Sequence, residues 1–224
     1  SQFRFSDDIS DTLKYAVGIE EATLSIGNPF GLEGATRSSL PNLAGHLRWE
    51  KQGKGSVQLG VDLFRLEWQG GQAGPRDKEF GDGLSLTGRY FLGESGRDVL
   101  SGSATVGKGA AHRVVALGFD GGNDAVITPD GLDPMTHWQV YGGYSHYWAD
   151  SLNSAIAVAY TELDNSAFQP DSAIHRAASL HVNLIYFPYK TVSTGIEFMW
   201  GSRENKDGAD GTANRIQLMA KFLF

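Results

Sequence analysis

Almost the whole chain repeats one device: short stretches in which apolar and polar residues alternate, separated by connections rich in Gly, Asn, Asp and Ser. The last stretch, 213–224, shows it most cleanly. Ile216, Leu218, Ala220, Phe222 and Phe224 form one set, and Arg215, Gln217, Met219, Lys221 and Leu223 the other. A two-residue period of this kind gives a strand one apolar face. The same alternation predicts strands over 2–6, 12–20, 42–50, 57–68, 84–92, 100–106, 137–148, 153–161, 179–186 and 192–203, eleven in all with the last. In the 57–68 stretch the apolar set changes phase. Val57, Leu59, Val61 and Leu63 come first, then Phe64, Leu66 and Trp68 with Arg65 and Glu67 opposite, a slip that predicts a β-bulge.

The connections alternate between short and long. Short turns are expected near 7–11, 53–55, 95–97, 149–150 and 187–190; long loops cover 21–41, 70–82, 108–136, 163–174 and 204–212. All short turns then lie at one end and all long loops at the other. That asymmetry marks an up-and-down transmembrane β-barrel of the bacterial outer membrane, whereas a soluble Greek-key sandwich has little reason to keep it. The predicted class is therefore all-β: an antiparallel transmembrane barrel forming one domain over 1–224. Single-chain bacterial barrels have an even number of strands, so eleven predicts further strands missing at the N-terminus.

Composition changes this picture little. A hydrophobic fraction of 41% with 29 glycines suits a wall in which only alternate residues meet lipid, and no run approaches the roughly 18 apolar residues of a membrane helix. With no cysteine, disulfides and thiolate metal sites are excluded. The net charge of -7 without a Lys/Arg cluster argues against a nucleic-acid partner. The six histidines are scattered without metal-ligand spacing, and Asp207 and Asp210 lie in a glycine-rich run that lacks the spacing of a calcium loop. Neither a metal nor a cofactor is expected.

If the apolar sets face lipid, the opposite sets line the interior. Its basic members are Arg4, Lys14, Arg48, Arg65, Arg89, Arg203, Arg215 and Lys221, and its acidic ones Glu20, Glu50, Asp62, Glu197 and Glu67. Such a lining lowers the barrier for anions, and arginine suits carboxylates through its bidentate fork. The residues expected to line a pore and meet solute are Arg48, Arg65, Arg89, Arg203, Arg215, Lys221, Glu197 and Asp62. Any one of these arginines equally reads as wall bracing against Glu50, Asp62 or Glu197. Two other functions stay open. A plugged structural barrel would share this pattern, and Ser179 with His181 on one strand face would be the start of an outer-membrane hydrolase. That pair lacks a GxSxG elbow and an evident oxyanion site, so no catalytic residue is expected.

The closing segment also resembles the C-terminal end of the DcaP-type porins. The likeness is carried by Asn183, Tyr186 and Pro188, by Gly195, Glu197, Gly201, Arg203 and Glu204, and by Gly208, Gly211, Asn214, Arg215 and Phe224. Arg37, Leu40, Pro41, Leu43, Leu47 and Trp49 form a second similar pattern. The resemblance implies a homotrimeric, sixteen-stranded channel in outer-membrane lipid that passes small organic anions, dicarboxylates among them. Members of that family are longer, which implies about five further N-terminal strands.

Overall fold

The computed structural model describes residues 2–21, 23–71, 76–93, 95–114, 117 and 122–223. The expected aromatic terminus, Phe224, and most of the 118–122 glycine-rich run lie outside these residues.

Eleven strands run up and down in one antiparallel sheet: β1 (Gln2–Asp8), β2 (Leu13–Glu20), β5 (Asn42–Lys51), β6 (Gly55–Gly70), β7 (Arg76–Leu92), β8 (Asp98–Lys108), β11 (Thr136–Ala149), β12 (Leu152–Leu163), β13 (Ile174–Tyr189), β14 (Val192–Asn205) and β15 (Asp210–Phe222). Their spatial order is their chain order, and a short strand β4 (Gly34–Arg37) continues the β5 edge of β6. Among the described residues β1 and β15 do not pair with each other, so the sheet is open. The turns between β1 and β2, β5 and β6, β7 and β8, β11 and β12, and β13 and β14 gather at one end. The long connections gather at the other.

One face of the sheet is an apolar band left in the open. Ile19, Leu43, Leu47, Leu59, Leu63, Leu86, Leu100, Val140, Val158, Val182, Leu184, Ile196 and Leu218 all stay exposed on it. Register carries the band from strand to strand, as in Tyr15↔Leu47, Leu59↔Leu86, Leu100↔Tyr144 and Ile196↔Leu218. A band of this breadth is stable against hydrocarbon, not water. Rings mark its short-turn edge: Trp49, Tyr90, Tyr144, Trp148 and Tyr186 are exposed there. His146 stacks edge-on against Trp148 and lies 2.7 Å from Asp98. This face is the outer, lipid-facing one.

The opposite, inner face carries a second sheet, made of β3 (Ile26–Gly27), β9 (Ala125–Thr128) and β10 (Gly131–Pro134), with β3 parallel to β9 and β10 antiparallel to it. With a 3-10 turn at Ala111–Arg113, it forms an insert built from two of the long connections. All four β9 residues are buried. Ala125 and Ile127 join Leu132, Ala110 and the wall residues Phe64, Leu66 and Trp68 in one core, with Leu24, Ile26 and Leu32 against it. Val126 joins Ala111, Val114, Leu117 and Met135 in another core, whose wall side is Leu163 at the end of β12 and Ile174 at the start of β13. The insert therefore spans from β6 to the β12/β13 wall.

Three expectations are corrected here. The predicted bulge at Phe64 is absent, for β6 pairs with β7 without a break from Gly55↔Tyr90 to Gln69↔Arg76. The apolar set changes because the apolar partner changes sides. Val57 to Leu63 face lipid, whereas Phe64, Leu66 and Trp68 point inward and are 3%, 0% and 5% exposed beneath the insert. Arg65 and Glu67 consequently lie on the outer face. Third, 70–82 is not a loop: β6 and β7 continue through most of it as a projecting hairpin, with only 71–75 between them. Gly81 is required there, since a Cβ would lie 2.2 Å from the Phe64 ring.

Leu66→Ala is expected to loosen the insert while sparing the wall. Emptying a fully buried leucine site costs about 2–5 kcal/mol. Hydrogen exchange over 125–134 should speed up, whereas Leu59→Ala on the lipid face should leave those amides unchanged.

Candidate functional site

The lumen-facing surface has four parts: the underside of the insert, a charged wall on β1 to β7, a smoother wall on β8 to β12, and a far wall on β13 to β15. The insert is fixed by two polar devices. Asp124, with no exposed surface, accepts the Ser25 N–H at 2.7 Å and the His112 N–H at 2.8 Å, and lies 2.9 Å from the His112 Nδ1. Its own N–H donates to the Ser25 carbonyl at 2.7 Å, and the Met135 N–H donates to its carbonyl at 3.0 Å. The carboxylate thus ties the 23–27 segment to the 3-10 turn, and the backbone of the same residue adds the segment leading into β11. Arg113 reaches the wall instead, 3.5 Å from Glu20 and 3.4 Å from Asp62.

On the short-turn side of these contacts the charges differ. Arg48 Nε lies 3.2 Å from Glu50 on its own strand, and Arg89 approaches the other oxygen of Glu50 at 3.6 Å. Lys14 is the cross-strand neighbour of Arg48 and sits 3.6 Å from Asp8. Arg4 faces inward above them, paired in register with Gly18. Four cations here face two carboxylates, Asp8 and Glu50. Next to the two arginines the wall is hydroxyl-rich: Ser56, Thr87, Ser101, Ser103 and Tyr141 line the same concavity as Arg48 and Arg89. Guanidinium forks beside hydroxyl donors form a surface that can hydrate and hold a carboxylate.

From β8 to β12 most of the inward residues are small. Ser101, Ser103 and Thr105, then Gly143 and Ser145, then Ala155, Ala157 and Ala159 meet in register. Gln139 and Tyr141 of β11 stand on the same face, in register between Thr105 and Thr161 and between Ser103 and Ala159, and are the long side chains of this wall.

The expected site residues separate accordingly. Arg48 and Arg89 come together over Glu50, while Asp62 is taken by Arg113. Glu197 lies 3.1 Å from the His181 Nδ1 on the far wall. Arg203 sits at the long-loop rim, its Nε donating to Asn205 Oδ1 at 2.9 Å and a second nitrogen to the Ser172 carbonyl at 3.1 Å. Arg215 and Lys221 face inward on β15, opposite Met199 and Ser193. Arg65 is the departure. It shares the outer face with Leu63, lies 4.0 Å from Glu67 and opposes the exposed Phe80. The inner face also gains acidic members the sequence reading omitted, Asp8, Asp77 and Glu79, so the basic excess is gathered at two places, Arg4, Lys14, Arg48 and Arg89 on one wall and Arg203, Arg215 and Lys221 on β14 and β15, and does not extend over the whole wall. Arg113 was missed because a residue in a long connection has no strand phase to place it. Among the described residues no His/Cys/Asp/Glu group has metal-binding geometry, and no hydrogen bond links Ser179 to His181.

No family model and no curated protein sequence matches the chain. Solved structures do match. The outer membrane channel DcaP of Acinetobacter baumannii superposes with a TM-score of 0.83 at 20% identity, over 100% of this chain and 62% of that one. An anion-selective porin from Comamonas acidovorans gives 0.62 at 11% identity over 100% and 59%. OmpT, an outer membrane protein of Vibrio cholerae, gives 0.53 at 12% over 99% and 63%. The chain thus spans about three-fifths of the length of the proteins it matches. Lipid-facing band, polar lumen and superposition agree: the fold of this chain is that of the bacterial outer-membrane porins.

Proposed function

We propose that the chain forms the larger part of the wall of a passive outer-membrane channel for small anionic solutes, carboxylates and dicarboxylates among them, with further strands completing one barrel domain and three copies assembling as a homotrimer. The observation that carries this reading is the pair Arg48 and Arg89 sharing the single carboxylate of Glu50, beside a hydroxyl-rich wall and below the insert. Two guanidiniums on one carboxylate leave a net positive charge at a wall of low dielectric, which draws anions and repels cations. Arg4 and Lys14 add to it. A structural neighbour described as anion-selective supports the same direction. No step requires a cofactor or covalent chemistry.

The test is the reversal potential of the full-length protein in a planar bilayer under a salt gradient. A potential displaced toward the anion, and currents reduced by a millimolar dicarboxylate, are expected. A cation-selective current would overturn the reading. One observation favours a second reading: the insert reaches from β6 to the β12/β13 wall, as a plug would. A folded, full-length protein without conductance would select that closed barrel.

A further inference from the structure

The projecting β6/β7 hairpin carries an outer-face charge cluster that the channel reading does not use. Register puts Arg37, Glu67 and Lys78 side by side across β4, β6 and β7, with Arg65 and Arg76 next to them on the same face. Glu67 is saturated: it accepts from the Ser39 hydroxyl, and lies 3.5 Å from Lys78 and 4.0 Å from Arg65. Arg37 and Arg76 are exposed and form no ion pair among the described residues. Four cations therefore surround one carboxylate whose capacity is already spent.

Position gives the cluster its meaning. It lies at the long-loop end, immediately beyond Leu63 and Leu84 of the lipid-facing band, with Phe80 standing 73% exposed between band and cluster, and with Asp82 on the same face opposite Leu63, where its register neighbour on β8 is Lys108. The equivalent outer-face site on β12 to β14 is of the opposite kind. There Arg176 pairs with Glu204, and Tyr160 donates to Glu162 at 2.7 Å, so carboxylates match or exceed cations. Of these two outer-face sites, the one on β4 to β7 carries the excess of positive charge.

We infer that the Arg37, Arg65, Arg76 and Lys78 cluster is a docking site for the phosphorylated headgroup of an outer-leaflet glycolipid, whose acyl chains lie along Leu63, Phe80 and Leu84. Arginine forks take phosphate bidentately and lysine adds a point charge. Basic residues at a membrane surface each strengthen binding to anionic lipid. Glu67 holds Arg65 and Lys78 in place, and the unpaired Arg37 and Arg76 supply the net charge.

The test is native mass spectrometry of the full-length channel in detergent, with diphosphoryl lipid A and its dephosphorylated form as probes. Wild-type protein is expected to retain the phosphorylated lipid in preference to the other. R37Q/R76Q/K78Q should weaken that retention by about a hundredfold, with heat-modifiable folding on gels and single-channel conductance unchanged. Equal retention of the two lipids, or equal retention of the phosphorylated lipid by variant and wild type, would overturn the inference. Loss of the oligomer in the variant with lipid retention intact would also overturn it, showing the patch to be a contact between protein copies.

Discussion

Replacing Asp124 by alanine is expected to release the insert from the wall and enlarge the passage. The carboxylate has no solvent and satisfies two backbone N–H groups and the His112 ring. Alanine leaves those part-buried donors without their acceptor, at about 1 kcal/mol each. That is comparable to what a small insert of three short strands can hold in reserve, so its two cores should open together. The outer band and the strand register lie elsewhere and should persist. Single-channel conductance should rise, and limited proteolysis should cut within 108–135 while the remaining barrel stays heat-modifiable. Unchanged conductance together with protease resistance would show that packing of Ile127 and Leu132 against Leu66 and Trp68 holds the insert without the polar staple.

The second large effect is expected on selectivity. Arg48→Gln with Arg89→Gln removes both partners of Glu50 and turns a locally positive wall into one that is neutral or negative. A unit charge about 4 Å from a solute ion is worth about 1 kcal/mol even in water, close to fivefold in local concentration. The anion-to-cation permeability ratio should therefore fall at least about fivefold, and reversal should move toward the cation. Arg65→Gln is the internal control: it lies on the lipid side of the same hairpin and should leave the ratio unchanged. Equal effects of the two replacements would refute the facing assigned to β6.

The sequence reading recovered the strands because alternation is local: eleven predicted stretches match eleven wall strands, including the short 100–106 stretch that became Asp98–Lys108. It misread what depends on distant partners. Phe64, Leu66 and Trp68 keep the pleat of Val57 to Leu63, but their partners lie some sixty residues on, in β9 and β10. Alternation alone cannot say which side supplies the apolar neighbour, so a change of side looked like a bulge, and Arg65 was turned inward with it. The charged run Asp77, Lys78, Glu79 resembled solvent-exposed loop, although each of the three has its own surroundings in the projecting strand. Lys78 meets Glu67, Asp77 accepts the Leu132 N–H at 2.8 Å, and Glu79 lies opposite Leu66. Of the candidate site, Arg48, Arg89, Asp62, Glu197, Arg203, Arg215 and Lys221 could be placed on the inner face because each sits on a strand with unbroken phase. What they pair with was not legible.

The insert closes its two cores against side chains of the wall, and close-packed interiors of this kind yield little to thermal motion. An insert wedged against Leu66 and Trp68 on one side and Leu163 and Ile174 on the other is held by interlocking volumes. Current past such an insert should be quiet, with open-channel noise near the thermal limit and few partial closures. The Asp124→Ala channel, by contrast, should flicker.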